Sequence, residues 1–283
     1  DIFREMFGFA GWNFLTTCAS MLSTQGVSIL LNMQFGPVIN ASRGVASQIN
    51  GTVGAFHRNF TTALNPQITK TYAAEDFEYV KRLVCKGAKF SYLAFFFIAL
   101  PCMIEVNFFL SVWLKDVPAY AGIFVQLTLL NSLVEVLLNS SETLNRATGK
   151  IRNFQLIVSS AQFAILIASY IALKITANPI LVVSMANIIY LLIFVPRILV
   201  NKPYVGMTFG YYYKEVLQGI IMMSVISAAL SLLPFMFMSD GWMRLVTVGV
   251  VSSISIIITS AIFVLTKGER DMVVRFVKNK LKR

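Results

Sequence analysis

The sequence has few charged residues, a single histidine and no paired cysteine motif. Charged side chains make up 13% of its 283 residues, about half of the usual quarter, whereas hydrophobic residues make up 57%. A soluble domain of this size cannot bury so much apolar surface and still present a polar exterior. Disorder is excluded as well, because 23 Phe residues are the opposite of a disordered composition. The composition predicts an all-α, polytopic integral membrane helix bundle.

Cysteine and histidine leave little room for metal or disulfide chemistry. Cys18, Cys85 and Cys102 are widely spaced and form no CxxC pair, so neither a disulfide framework nor a structural zinc site is expected. The lone His57 excludes an ordinary multi-histidine catalytic metal site. The loops contain no P-loop, DxD or serine–histidine–acid pattern and are too short for a catalytic domain. We therefore expect no metal, no cofactor and no enzymatic reaction.

Apolar runs recur along the chain, and a helix needs about 20 apolar residues to cross a bilayer. The first two runs are the weakest, because they contain amide, arginine and histidine side chains. Short turns such as Gly36-Pro37 separate the runs, so successive helices should be antiparallel neighbours. We predict eight spans, at 11–35, 43–66, 88–112, 119–146, 154–173, 179–200, 215–237 and 242–266.

The basic residues are distributed unevenly between the two sides of this predicted bundle. Nineteen of the 24 Lys and Arg residues fall on the side of the two chain ends, and four fall on the opposite side. The positive-inside rule then places both ends in the cytoplasm. The same bias accounts for most of the net charge of +11 without a nucleic-acid partner. The tail 267–283 is predicted to be a basic amphipathic helix on anionic membrane lipids.

Polar residues inside the predicted spans form three stripes at helical spacing. Polar groups at membrane depth normally face the bundle interior or a water-filled cavity, so three stripes predict one shared hydrated surface. The stripes are Gln25, Ser28 and Asn32 in the first span; Gly44, Ser47, Gly51, Gly54, Arg58, Thr61 and Asn65 in the second, with Arg43 and Asn50 at its margins; and Asn131, Glu135, Asn139, Glu142 and Arg146 in the fourth.

Arg58 is the strongest functional candidate in these stripes. It lies fifteen residues after the start and eight before the end of its predicted span, too deep for its side chain to reach the membrane surface easily. A guanidinium binds phosphate and carboxylate groups through a planar fork of donors. Arg58 and Arg43 are therefore candidates for contact with an anionic ligand, such as a diphosphate.

Each polar feature also has a structural interpretation. The small residues of the second span fit close helix packing, and Glu142 with Arg146 fits a self-neutralising pair one turn apart. His57 is either a hydrogen-bonded core residue or a proton-linked group. Glu105, which follows Pro101 by one turn, fits either the outer interface or a substrate or proton site.

A resemblance to a known family rests on one run above all. The segment FGPVINASRGVASQING (35–51), followed by NF (59–60) and ALNPQITK (63–70), resembles the seventh and eighth helices of bacterial polysaccharide flippases. These are the O-antigen and capsule exporters of the multidrug/oligosaccharidyl-lipid/polysaccharide exporter superfamily. FGFAGWN (7–13) is similar to the start of their seventh helix, and ATGK (147–150) to the turn after their tenth. The resemblance covers about residues 1–215.

The resemblance implies a domain organisation and a function. Residues 1–200 would form the six-helix C-terminal lobe, 201–266 two additional transmembrane helices and 267–283 the cytoplasmic tail, with the N-terminal lobe of the same protein as a missing partner. The implied function is to move undecaprenyl-diphosphate-linked oligosaccharide from the cytoplasmic to the periplasmic leaflet of the bacterial inner membrane by alternating access. Such transport serves O-antigen and lipopolysaccharide, capsule or exopolysaccharide biosynthesis.

The expected site residues fall into two groups. The substrate cavity would comprise Arg58, Arg43, Asn50, Gln25, Asn32, Asn131, Asn139 and Arg146, and coupling to H⁺ or Na⁺ would involve Glu135, Glu142 and His57. A cation-coupled multidrug exporter of the same fold is the alternative, with Glu135 as its cation site. A membrane-embedded polysaccharide polymerase or acyltransferase would need a sizeable external loop, which the predicted spans do not leave.

Overall fold

The computed structural model describes residues 2–271 of the chain. Helix makes up 88% of the described residues and no strand occurs among them, which confirms the all-α class. The α-helices of this part are α1 (Ile2–Phe35), α2 (Pro37–Ala73), α3 (Phe77–Ile104), α4 (Val106–Trp113), α5 (Ala121–Ala147), α6 (Arg152–Ile175), α7 (Pro179–Leu192), α8 (Phe194–Leu199), α9 (Lys202–Val205), α10 (Phe209–Tyr212), α11 (Gln218–Phe237) and α12 (Trp242–Thr259). Two π-helical segments, Tyr213–Leu217 and Ser260–Val264, precede α11 and follow α12.

Seven helical segments of this part are long and apolar enough to cross a membrane, which makes the chain a multi-pass membrane protein. The second of the eight predicted spans, 43–66, is not confirmed. It lies inside α2, whose 37 residues are ample in length. The helix is too polar for a lipid-facing span because it carries Arg43, His57 and Arg58. The seven segments are Phe7–Phe35, Phe77–Ile104, Ala121–Ala147, Arg152–Ile175, Pro179–Val205, Phe209–Phe237 and Trp242–Val264.

The long connection expected at about 67–87 is mostly helix. Only the turn 74–76 separates α2 from α3, and Asp76 caps α3 by accepting a hydrogen bond from the Tyr79 backbone N–H at 3.0 Å. The predicted third span, by contrast, is interrupted at Glu105, where α3 ends one turn after Pro101 and α4 begins. Both differences have a local cause. The Asp76 cap favours an early start of α3, and Pro101 lacks the backbone N–H that a continuous helix would use near its end.

The helices pack as a layered bundle around α2, α3 and α5. Each of these three helices packs against the other two, while α1 packs mainly on α6, and α7 lies against α5 and α6. The shared core includes Phe95 of α3 with Phe124, Leu129 and Leu138 of α5, all at most 1% exposed. The α11–α12 pair is joined to this bundle chiefly through α3. The outer surfaces of α11 and α12 expose many large apolar side chains, as expected of lipid-facing helices.

The start of the predicted basic tail is helical, and residues 272–283 lie outside the described residues. Thr266 and Glu269 form a reciprocal cap at this helix: the Thr266 N–H donates to Glu269 Oε2 at 2.9 Å, and the Glu269 N–H donates to Thr266 Oγ1 at 3.4 Å. Glu269 is also buried 3.7 Å from the Nζ of Lys89. The segment after α12 is thereby tied to α3.

Candidate functional site

A polar cavity of about 700 Å³ lies between α1, α2, α5, α6 and α7. Polar side chains from all five helices line it together with apolar ones such as Phe124 and Val182. Such a volume is in the range of small-molecule binding sites. Its polar lining consists of Ser23, Thr24, Gln25, Ser28, Asn40, Arg43, Ser47, Asn50, Thr128, Asn131, Ser132, Gln162, Ser169, Asn187 and Tyr190.

Arg43 is the ionised side chain of this lining. Its guanidinium donates a hydrogen bond to Ser28 Oγ across the α1–α2 contact. Within the described residues, the cavity lining contains no carboxylate, so the positive charge of Arg43 has no counter-ion there. Arg43 is half-buried. Desolvation of an uncompensated cation is costly in a medium of low dielectric, and an anionic ligand would offset this cost.

Two other cavity residues leave an acceptor without a donor. The Oδ1 atoms of Asn40 and Asn50 are buried and have no hydrogen-bond partner among the described residues. Buried polar atoms are nearly always paired, so these two enclosed oxygens are unusual. The cavity itself presents one cationic fork among amide and hydroxyl side chains.

The structure brings together four of the eight residues predicted for the substrate cavity. Gln25, Arg43, Asn50 and Asn131 all line it. Asn32 does not: it lies exposed on α1, two turns beyond Gln25. Sequence periodicity assigned all of these residues to polar faces of their helices. It carried no information on which other helix each polar face would pack against.

Arg58 lies outside this cavity, on an open face of α2. We define the open face of α2 by Gly44, Ser47, Gly51, Ala55, Arg58 and Thr62, which are all exposed and fall within an arc of about 80°. Gly44 and Ser47 also line the cavity, so the open face adjoins it. Arg58 is exposed, and its Nη2 donates to the Gly51 carbonyl of its own helix at 2.9 Å.

The two arginines of α2 are well separated. They lie fifteen positions apart, or about 22 Å along the helix axis at 1.5 Å per residue. The predicted small stripe is also divided, because Gly54 and Thr61 are buried while its other small residues are open. The expectation that Arg43 and Arg58 share one cavity is therefore not met by the geometry.

His57 and Asn139 meet between α2 and α5. The His57 Nε2 and the Asn139 Nδ2 are 3.2 Å apart, and the imidazole packs edge-on against Phe95 with ring centroids 5.6 Å apart. The Nδ1 of His57 is buried and has no partner among the described residues. His57 is thus largely a core residue. Its Nδ1 remains available to accept a hydrogen bond or to bind a proton.

Glu135 and Glu142 belong to a charge network on α5. Arg197 of α8, which is 2% exposed, donates to both oxygens of Glu135, with Nη2 and Oε2 at 3.4 Å. Its Nη2 also lies 3.7 Å from Glu142, which accepts a 2.7 Å hydrogen bond from Arg146. Two carboxylates and two guanidiniums therefore alternate along this surface. Arg146, predicted for the cavity, belongs here instead.

Sequence reasoning counted Arg197 among the basic residues of the cytoplasmic side and missed this role. Its immediate neighbours Phe194, Val195, Ile198 and Leu199 are all apolar, and this is the signal that could have identified a buried arginine. The pairing with α5 was not readable, because Glu135 and Arg197 are 62 residues apart.

A second buried ion pair joins α12 to the break between α3 and α4. Glu105 is 1% exposed and accepts hydrogen bonds from Arg244 Nε at 2.8 Å and from Nη2 at 2.9 Å. The same guanidinium binds Asp240 and lies 4.5 Å from the ring centroid of Phe235. Glu105 is therefore neither exposed at an interface nor part of the polar cavity.

Metal chemistry finds no ready-made site in the described part of the chain. Among residues 2–271, no three His, Cys, Asp or Glu side chains are placed so that they could hold a metal ion. Comparison with protein-family models, curated proteins and solved structures gives no match.

Proposed function

We propose that this chain is the C-terminal lobe of a flippase that moves undecaprenyl-diphosphate-linked oligosaccharide across the bacterial inner membrane during surface polysaccharide biosynthesis. In this proposal α2 crosses the membrane as the eighth span, and both chain ends lie in the cytoplasm. The supporting features are cationic and polar surfaces on membrane-embedded helices.

The observation that carries the proposal is the exposed guanidinium of Arg58 on a helix that packs among membrane spans. An arginine at that depth is unfavourable against lipid hydrocarbon, because placing its charge at the centre of a membrane-spanning helix costs about 3 kcal/mol on insertion scales. It must face water or another protein surface. The open face of α2 is built from small residues around this one charge, as a translocation pathway or a lobe–lobe contact requires.

A diphosphate is the ligand that this face suits best. Arg58 offers a planar donor fork, and a membrane-embedded guanidinium attracts the charged headgroup while lipid surrounds its tail. Alternating access also requires a second lobe, and the open face of α2 adjoins a cavity that such a lobe would close. The N-terminal lobe of the same protein is therefore the proposed partner.

The cation-coupled multidrug exporter fits less well. It needs an acidic group that is available to a cation, and Glu135 is already paired with the buried Arg197. The charges of α2, Arg43 and Arg58, would also repel a cationic drug. If transport is coupled to H⁺, His57 is the proposed proton site, since its Nδ1 has no partner among the described residues.

Arg58 provides the test. We expect Arg58→Ala to abolish surface polysaccharide export and Arg58→Lys to retain part of it, because lysine keeps the charge but loses the two-pronged donor geometry. The variants are introduced into the complete protein, and export is measured by complementation of a flippase-deficient strain at matched protein level. Arg82→Ala, at an exposed arginine of α3, is the control. Wild-type export by Arg58→Ala would refute the proposal.

A further inference from the structure

One buried arginine is shared between two carboxylates of α5. Arg197 of α8 donates to Glu135 from Nη1 and Nη2, and its Nη2 also lies 3.7 Å from Glu142 Oε2. Its Nε is buried and has no hydrogen-bond partner among the described residues. Arg244, by contrast, donates from Nε and Nη2 to the two oxygens of Glu105 at 2.8 and 2.9 Å. Arg197 therefore has a second carboxylate within reach that it does not fully use.

This cluster lies between the polar cavity and the C-terminal end of α5. The cavity lining on α5 ends at Ser132, and Glu135 follows within one turn. On α7 the lining ends at Tyr190, seven residues before Arg197. The Tyr190 hydroxyl accepts a 2.7 Å hydrogen bond from Gln162 of α6. Polar groups of α5, α6, α7 and α8 thus form a layer between the cavity and the side predicted to be cytoplasmic.

The backbone that carries Arg197 is interrupted. The helix α7 ends at Leu192 and α8 begins at Phe194, with Pro196 in its first turn. Because Pro196 has no N–H, the helical hydrogen-bond ladder between α7 and α8 lacks a donor there, and a helix can turn at such a break. A buried ion pair adds little stability compared with apolar packing, and setting a register or a switch is its best-attested use. Both features suit an arginine that changes partner.

We propose that Glu135, Arg197 and Glu142 form a gate that opens the polar cavity toward the C-terminal end of α5. In the closed state, which the structure shows, Arg197 binds Glu135. In the open state Arg197 binds Glu142 instead, Glu135 is hydrated by the cavity, and Arg146, whose side chain is 51% exposed, is released to solvent. The guanidinium stays paired throughout, which avoids the penalty for a buried unpaired charge. The gate controls access to the cavity whatever its cargo, so it does not depend on the proposed function.

Access to the cavity is measured with a cysteine at Asn187, a residue of α7 that lines it. Asn187→Cys is introduced into the complete protein without its native cysteines, and membrane vesicles are treated with an impermeant thiol reagent. The reagent is added on the side from which Lys150→Cys, in the exposed turn after α5, reacts. The labelling rate of Asn187→Cys then reports how often the gate opens, and the melting temperature of each variant is measured in parallel.

An exchange of partners predicts opposite effects for the two carboxylates. Glu135→Gln should raise the labelling rate about tenfold, the size expected when one charge-assisted hydrogen bond is lost, because Arg197 then stays with Glu142. Glu142→Gln should lower the rate, since Arg197 has no second partner. Arg146→Gln should raise it, because it removes the competitor of Arg197 for Glu142. Glu78→Gln, at an exposed ion pair of α3, is the matched control and should change nothing.

A purely structural ion pair predicts another outcome. Loss of either carboxylate would then lower the melting temperature and leave the labelling rate unchanged, or would move the rate in the same direction. Either result would refute the gate. Glu142 is half-buried and Arg146 is exposed, so their variants should fold, and opposite effects of Glu142→Gln and Arg146→Gln carry the test even where Glu135→Gln does not fold. Opposite effects in a protein that flips no lipid would support the gate and refute the proposed function.

Discussion

At the scale of single residues, every charged side chain that the described part of this chain buries lies in an ion pair. Glu105 lies against Arg244, Lys89 against Glu269, and Arg197 against Glu135. Arg43 is half-buried, and the lining of its cavity contains no carboxylate. A buried pair offsets the desolvation of both partners, whereas the uncompensated charge of Arg43 makes it a candidate for ligand binding.

The Glu105–Arg244 pair gives a residue-scale prediction. We expect Arg244→Met to destabilise the protein by about 3–5 kcal/mol, since it leaves the fully buried Glu105 carboxylate without its bidentate donor. The double variant Arg244→Met, Glu105→Leu should recover most of that loss, because it removes the stranded charge as well. Thermal or denaturant unfolding in detergent measures both. A double variant as unstable as Arg244→Met alone would contradict the pairing argument, and Arg152→Met, at an exposed arginine, is the control.

At the scale of helices, α5 shows how one helix serves the core, the cavity and the charge network. Its apolar face, with Val125 and Leu129 fully buried, packs into the core. Asn131 faces the cavity near the middle of the helix, and Glu135 joins the charge network one turn later. The predicted stripe on α5 is therefore continuous in sequence but divided between two environments.

Cysteine accessibility tests this division. In a background without Cys18, Cys85 and Cys102, Asn131→Cys should react with a membrane-impermeant thiol reagent, because the cavity is polar and open to water. Val125→Cys should not react, since Val125 is 0% exposed. Labelling is measured by a mass shift on intact protein. Equal labelling at both positions would show that the α5 stripe does not line a hydrated cavity.

At the scale of the whole molecule, α3 connects the α11–α12 pair to the remaining bundle. Three polar contacts make the connection: Tyr92 with Ser224 at 2.9 Å, Glu105 with Arg244 and Lys89 with Glu269 at 3.7 Å. Tyr92 and Lys89 of α3 and Glu105 at its C-terminal end are all buried. The last two helices are thus integrated into the fold by buried polar groups as well as by apolar packing.

A truncation tests this integration. Removal of residues 218–283 should destabilise the bundle, because it leaves the buried Lys89 and Glu105 without their partners. Replacing both, as Lys89→Leu and Glu105→Leu, should restore part of the folded yield of the truncated protein. The readout is the monodisperse fraction on size-exclusion chromatography together with the melting temperature. Full stability of the truncation without these replacements would show that α11 and α12 are peripheral.

The sequence by itself determined that the protein is all-helical and crosses the membrane several times, because helix formation and lipid burial depend on local apolar runs and on composition. It also identified the polar stripes, since helical periodicity alone decides which residues share a face. Only the tertiary structure decided which stripes meet. Arg43 joins Gln25 and Asn131 in a cavity while Arg58 remains on an open face, and the ion pairs link residues 62 and 139 positions apart. Periodicity orients a side chain about its own helix axis, whereas its partner depends on how distant helices pack around it.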